Sequence, residues 1–455
     1  MRRDPSRLMM QPLSGLRRTC AAVLAVVAVG LGAGSCSGGS STGPSATSAA
    51  TTPSTSAATR QNAADPSAGR EDALAALLAR RATALRTRDL AGFLATLDDP
   101  TSGFGLRQRA LFDAVSKLPL AAFSYGTPQP APALGAARVA EIGPQAWVSK
   151  VSGSYELAGF DTNPRSFEAY FTVVHRAAGW RLADDSDGGT QPQIWDIPSF
   201  TVLRSRTTLV VGEGPASRLR PYLALGDTAV PRVSRVWGTR WNAHVVLVVP
   251  GTIAQLGEQL SQDPASLAQV AAVTDGPFDA TGRAGADRIF VNPHAFAGLQ
   301  PRGQQVVVTH ESTHVAIRST TDRPVPLWLS EGMADFVGYR DAGASRQQVA
   351  SALLQRVRSG HGPTALPSAA DFDPSRTTIA PSYNAAWLAV NRIVDRFGLP
   401  ALVRFYRTAA TSPDPSAPAG DPEANTAAAF VSVLHVSEAS FTQDWLAYLR
   451  HLAAS

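Results

Sequence analysis

Between Val306 and Ile317 the chain sets His310-Glu311-Ser312-Thr313-His314 inside a stretch otherwise rich in valine and alanine. Val307, His310, His314 and Ile317 follow a 3-4-3 spacing, which predicts a helix whose buried stripe carries both imidazoles. One turn separates the two histidines, so they project from the same face, as two ligands of one tetrahedral ion must. The plainer alternative is a pair of core histidines beside an exposed Glu311. The two readings part on whether the chain supplies a third ligand to the same place.

It offers one shortly downstream. After a proline break at Asp322-Arg323-Pro324-Val325-Pro326 comes Leu327-Trp328-Leu329-Ser330-Glu331-Gly332-Met333-Ala334-Asp335-Phe336, a predominantly apolar segment that predicts a second helix running back along the first. Glu331 and Asp335 are one helical turn apart. One carboxylate can bind a metal while the other accepts the free ring N–H of a ligating histidine.

With these residues in place the chain resembles the gluzincin metallopeptidases, most closely the peptidase-MA-like group related to thermolysin and to the large zinc aminopeptidases. The resemblance rests on His310-Glu311-x-x-His314 followed 17 residues later by Glu331, inside the Trp-Leu-Ser-Glu-Gly-x-Ala-Asp segment. It implies a zinc cofactor held by His310, His314 and Glu331, with Asp335 behind a ligating histidine and Glu311 as general base. The implied reaction is hydrolysis of a peptide bond by metal-activated water. Ser382-Tyr383-Asn384-Ala385-Ala386-Trp387 resembles the place where the related aminopeptidases carry a tyrosine that stabilises the oxyanion, which makes Tyr383 a candidate for that role. The spacing of Tyr383, Trp387, Val390 and Val394 fits a core aromatic as well. His361, between helices, is a secondary candidate, while His244, in an apolar strand, reads as structural, as does His175. No Gly-x-Met-x-Asn element is found, so the resemblance does not carry aminopeptidase specificity.

The rest of the chain sets the context for this site. Arg2, Arg3, Arg7, Arg17 and Arg18 precede an apolar stretch from Ala21 to Leu31 and the small residues Ala33-Gly34-Ser35 before Cys36. This is the grammar of an export signal, and it resembles a bacterial lipobox, which implies residues 1–36 as a lipoprotein signal peptide with Cys36 as the lipidated residue. Residues 37–70 are almost wholly Ser, Thr, Ala, Gly and Pro, a composition expected of a disordered tether. The net charge of +5 reflects mainly the signal: beyond Cys36 the chain has 36 basic against 35 acidic groups, so no nucleic-acid partner is expected.

The fold class expected is α+β in two units. Residues 71–198 read as three helices (73–88, 89–97, 106–118) and then long strands (145–160, 166–177, and one from Gly179). This cone-like order resembles the nuclear-transport-factor-two-like superfamily. Residues 199–455 read as a small sheet followed by helices, the gluzincin-type order. They comprise a strand over 202–211, a helical stretch over 216–237 interrupted near Pro231, a strand over 243–249, a helix over 252–260, and a strand over 288–291 before the helix starting near Pro301. The segment Ala286–Asn292, the last strand before the metal helix, is expected to be the sheet edge along which substrate lies. The functional expectation is a zinc metallopeptidase acting on a peptide or protein substrate, lipid-anchored on the extracytoplasmic face of the cell membrane. The alternative is a surface ligand-binding lipoprotein in which the metallopeptidase-like domain is a non-catalytic scaffold.

Overall fold

The computed structural model describes residues 69–373, 376, 378–412 and 420–455, and the backbone of Val23–Leu24, which forms a two-residue strand, β1. Cys36 and the tether as far as residue 68 lie outside the described residues, and Arg70, expected to end the tether, already belongs to the first helix. Among the described residues no helix is long and apolar enough to cross a membrane.

Helix α1 (Arg70–Thr87) buries Leu74, Leu77, Leu78 and Leu85 along one face. It stops at Arg88, whose left-handed backbone (φ 57°) turns its N–H back onto the carbonyls of Ala84 and Leu85. Asp89 and Ser102 cap the next two helices, α2 (Leu90–Leu94) and α3 (Gly103–Val115), by accepting from backbone N–H groups. The strands β2 (Leu120–Tyr125), β3 (Gln129–Pro130), β4 (Trp147–Leu157), β5 (Arg165–Arg176) and β6 (Gly179–Asp184), with helix α4 (Ala136–Ile142) between β3 and β4, complete this unit. Its sheet is antiparallel in the order β2-β4-β5-β6, with β3 on β4, and register shifts at Leu120/Ala122 and Thr172/Val173 help it curl. Val151, Tyr155, Phe167, Phe171 and Val173 fill the inner face with α1 and α3.

The second sheet is built from β7 (Phe200–Arg204), β8 (Thr208–Glu213), β9 (Val245–Val249), β10 (Ala272–Asp275) and β11 (Arg288–Val291), in the order β1-β10-β11-β9-β8-β7. Strands β8, β9 and β11 run parallel; β7 and β10 run antiparallel to their neighbours. Two helices lie between its strands, α5 (Ala216–Trp237) and α6 (Ile253–Leu260).

Three expectations are corrected in this region. The strand expected over 202–211 is a hairpin: the Ser205 hydroxyl accepts from the N–H groups of Thr207 and Thr208 and turns the chain between β7 and β8. Helix α5 runs unbroken through Pro221 and Pro231, because Leu219, Val230, Val233 and Trp237 remain packed in one core across the missing hydrogen bonds. The segment Ala286–Asn292 is not a sheet edge. Its strand β11 is buried at all four residues between β9 and β10, and among the described residues the outer position belongs to the two-residue β1, with β10 next inside it.

Both faces of this sheet are covered, which is why its strands read as apolar runs. Val246 and Val248 of β9, Leu209 and Val211 of β8, Phe290 of β11 and Val273 of β10 share one core with the curled sheet. The alternate residues Leu247, Val210, Ile289 and Ala272 belong to a second core with the helices. The boundary near residue 198 is therefore a boundary in the chain but not in the packing.

A buried ion pair sits at this junction. Asp161, in the β4–β5 connection, receives two hydrogen bonds from the Arg288 guanidinium on β11, at 2.6 and 2.8 Å, with the two side chains 1% and 0% exposed. Asp161 also accepts from Leu157 N–H at 2.8 Å. Nearby, Arg165 donates to the Asp275 carboxylate at 2.8 Å and to the carbonyls of Asp275 and Ala286.

Beyond the sheet the chain is helical: α7 (Pro293–Ala297), α8 (Pro301–Arg318), α9 (Leu327–Tyr339), α10 (Arg346–Val349), α11 (Ser351–Arg358), α12 (Ala380–Phe397), α13 (Leu399–Ala410), α14 (Pro422–Ala429) and α15 (Glu438–Ala454). Helix α8 lies against α5, α9, β10 and β11.

Removing one partner of the Asp161–Arg288 pair leaves the other charge buried and uncompensated. Asp161→Ala should therefore lower unfolding stability by about 3–5 kcal/mol, read as a reduced denaturant midpoint. A change within about 0.5 kcal/mol would show that the pair does not hold the junction.

Candidate metal centre

Helix α8 is buried on every side from Val306 to Ile317, rather than along the single stripe that its spacing suggested. Its hydroxyls are satisfied within the helix: Thr309, Ser312 and Thr313 donate to the carbonyls of Gln305, Val308 and Thr309 at 2.6–2.8 Å. That leaves His310, Glu311 and His314, 1%, 0% and 1% exposed, to be matched from outside the helix.

Helix α9 supplies the match, and two glycines let it come close. A β-carbon on Gly338 would sit 3.1 Å from the Val306 carbonyl oxygen, and one on Gly332 would collide with the Ala386 carbonyl of α12 at 2.5 Å. Seated so, α9 delivers Glu331 and Asp335 to the imidazoles. His310 Nε2 and His314 Nε2 are 3.1 Å apart, and Glu331 Oε2 lies 3.3 Å from the first and 3.7 Å from the second. A tetrahedral ion with bonds of about 2.0–2.1 Å to nitrogen holds two ligand atoms about 3.3 Å apart, so these spacings are those of a ligand set.

The proton inventory agrees. His310 Nδ1 lies 2.8 Å from Asp335 Oδ1, and in the tautomer that donates there Nε2 keeps its lone pair. Glu331 Oε2 is buried with no hydrogen-bond partner. His310, His314 and Glu331 thus bring one potential ligand atom each to a common place, where a cation could be held by all three.

Electrostatics inside the cluster are strong. Burial disfavours a charged His310, yet Asp335 and Glu331 outweigh it and raise its pKa well above the usual imidazole value. Burial lowers that of His314. Burial would raise Glu331, but His314 and His310 bring it below the usual carboxylate value, whereas burial leaves Asp335 raised. Glu311 is pushed up to about 7 by burial, against the pull of His310 and of a hydrogen bond from Thr274.

Tyr383 is brought to the same place. It lies in the first turn of α12, 3% exposed, with its ring 5.2 Å from that of Phe372. Burial, together with the nearby Glu331, Asp335 and Glu311, holds its hydroxyl well above the ordinary phenol pKa.

The other histidines stay apart. His361 is exposed after α11, with Nδ1 3.3 Å from the Ser359 hydroxyl. His244 has Nδ1 2.5 Å from the Asn242 carbonyl and lines a crevice of about 250 Å³ with Phe160 and Trp241. His175 is exposed against Trp180.

No protein-family model matches the chain, and no curated protein matches it. The chemistry of the site is therefore argued from its geometry.

One residue of the site escaped the sequence reading. Thr274 on β10 donates to Glu311 Oε2 at 2.7 Å. The available signal was the short run Val270-Ala271-Ala272-Val273-Thr274, closed by Asp275-Gly276-Pro277, which has the makings of a buried strand and its turn.

Purified protein should bind one divalent ion per chain, and Asp335→Ala should weaken it by about 10–100-fold without abolishing it, as measured by competition with a chelator. Metal and proton compete for the imidazole nitrogens of His310 and His314, since only the neutral ring is a ligand. Affinity should therefore fall as pH falls, with proton release visible as buffer-dependent heats in calorimetry.

Proposed function

We propose that the chain is a zinc-dependent peptidase of the gluzincin type, anchored through a lipid on Cys36 at the extracytoplasmic face of the membrane. The observation that carries this reading is Glu311. It is buried beside the three converging ligand atoms, with Oε2 held by Thr274 and Oε1 without any hydrogen-bond partner. A non-catalytic scaffold for a surface ligand-binding lipoprotein has no use for a buried carboxylate oxygen left unpaired, which costs stability. A general base does.

Two imidazole nitrogens and one carboxylate oxygen form the donor set of catalytic zinc, which leaves a coordination position open. When bound, zinc supplies Lewis acidity, polarising a scissile carbonyl and making water a competent nucleophile near neutral pH. The side chains do the remainder. Glu311, buried beside the ligand group with Oε1 unpartnered, is placed both to accept a proton from water at Oε1 and to deliver it to the departing amine. Tyr383, whose raised pKa keeps it protonated, is suited to donate to the oxygen that becomes negative as the carbonyl is attacked. Asp335 holds His310 in the tautomer that a ligand requires.

Strand β10, outermost but for the two-residue β1, would suit an extended peptide in the place of β1. Its outer side already accepts main-chain pairing, Val23 opposite Thr274 and Leu24 opposite Val273 in antiparallel register. A substrate backbone adding there would lie beside Glu311, gaining affinity from main-chain bonds with modest dependence on side chains. The curled sheet with its flanking helices is consistent with a unit like nuclear transport factor two, which here covers the sheet that carries β10. The Ser/Thr/Ala/Gly/Pro tract after Cys36 would hold this body away from the membrane.

The test is cleavage of a peptide library by the fragment from Glu71 onward, with metal content measured on the same sample. Glu311→Gln should keep its zinc and lose at least about 10²–10⁴-fold in kcat. Its KM should stay nearly unchanged, because the missing interaction belongs to the transition state. Loss of zinc would make Glu311 a ligand; full activity with zinc retained would remove it as the base.

A further inference from the structure

We infer that Thr274 is a positioning residue for Glu311: its hydroxyl fixes one carboxylate oxygen so that the other is presented to the ligand cluster. This deepens the peptidase reading and rests on it.

Nothing within α8 orients the end of Glu311. The terminal torsion of a glutamate is broad and roughly two-fold, so an unanchored carboxylate samples many planes and interchanges its oxygens. Glu311 is wholly buried, so its carboxylate must be oriented by neighbouring protein groups. Thr274, 1% exposed, is placed to do so: its Oγ1 lies 2.7 Å from Glu311 Oε2 and 3.2 Å from the Glu311 carbonyl oxygen. A hydroxyl has one proton to give, and the shorter, charge-assisted contact is the stronger claim on it. Oε2 is thereby occupied, while Oε1 is buried and unpartnered. The two oxygens become inequivalent, and only one remains available to a proton from outside.

The backbone of Thr274 explains why this anchor is stiff. The residue is β-branched, with restricted χ1, and sits in β10 opposite Ile289 of β11. Its neighbour Asp275 is gripped by Arg165 through both carboxylate and carbonyl. The strand that pairs with β1 on its outer side is thus also the strand that holds Glu311.

The experiment compares the metal-loaded full chain with Thr274→Val, which keeps the shape and removes the hydroxyl, and with Thr274→Ser, which keeps the hydroxyl and trims the shape. Thr274→Val should lose about ten- to a hundredfold in kcat with KM and zinc content unchanged, the size expected for a hydrogen bond to a charged group. Thr274→Ser should recover most of it. Thr274→Val combined with Glu311→Gln should be no slower than Glu311→Gln alone, since a positioning residue has nothing left to position.

A readout independent of turnover is inhibitor binding. A hydroxamate, which shares a proton with the base while it chelates the metal, should bind Thr274→Val at least about tenfold more weakly, and a simple thiol, which touches only the metal, should bind it as well as the parent does. Thr274→Val with parental kcat, Thr274→Ser as slow as Thr274→Val, or additive losses in the double variant would each overturn the inference. If the parent chain cleaves no peptide, the peptidase reading fails by itself, and equal hydroxamate affinity in parent and Thr274→Val would then overturn the role of Thr274 separately.

Discussion

Five ionisable side chains are removed from water around one helix, and the architecture near α8 answers that cost. A carboxylate or imidazolium taken out of water loses several kcal/mol of solvation unless partners replace it. Within α8 the i to i−4 geometry satisfies the hydroxyls of Thr309, Ser312 and Thr313, but it cannot reach His310, Glu311 or His314. Each must be met from another layer. Helix α9 meets His310 with Asp335 and turns Glu331 toward both imidazoles; β10 meets Glu311 with Thr274. What is left unmet in this cluster among the described residues is Glu331 Oε2 and Glu311 Oε1, the two atoms to which the proposed function assigns a metal ion and a proton.

The unit of residues 71–198 contributes to the site without touching the ligands. Its β4–β5 connection places Asp161 on Arg288, and Arg288 is the register partner of Asp275. Arg165, at the start of β5, holds Asp275 from the other side. Thr274 is the next residue along. A chain of pairings therefore runs from the curled sheet to the strand that supports Glu311, buried at Asp161–Arg288 and partly exposed at Arg165–Asp275. Charges at such a junction are costly to bury, and their bidentate and reciprocal geometry is what makes them tolerable.

Some elements were legible because their spacing is local. The helix carrying His310 and His314, the return helix with Glu331 and Asp335, and the alternating strands β4 and β5 all declare themselves through periods of 3.6 or 2. Others were hidden for physical reasons. Strand β10 is four residues long and covered on both faces, so it shows no alternation. The turn between β7 and β8 is made by Ser205 in place of a glycine or proline signal, and it passed for continuous strand. Pro231 suggested a break in α5 that tertiary packing overrides. The order of the strands, and so which of them is the edge, is a matter of pairing between distant segments.

The sequence by itself determined the donor atoms and their local geometry: two imidazoles one turn apart, a glutamate between them, and two carboxylates one turn apart on the next helix. These follow from the helical repeat, which is fixed by backbone sterics and needs no partner. Only the tertiary structure decided that α9 approaches closely enough to bring three ligand atoms together, that Asp335 takes the proton of His310, and that Thr274 takes one oxygen of Glu311. Those are contacts between segments up to 37 residues apart, set by how glycine-lined helices and a doubly covered sheet pack against one another. Residue spacing along a chain carries no direct record of that packing.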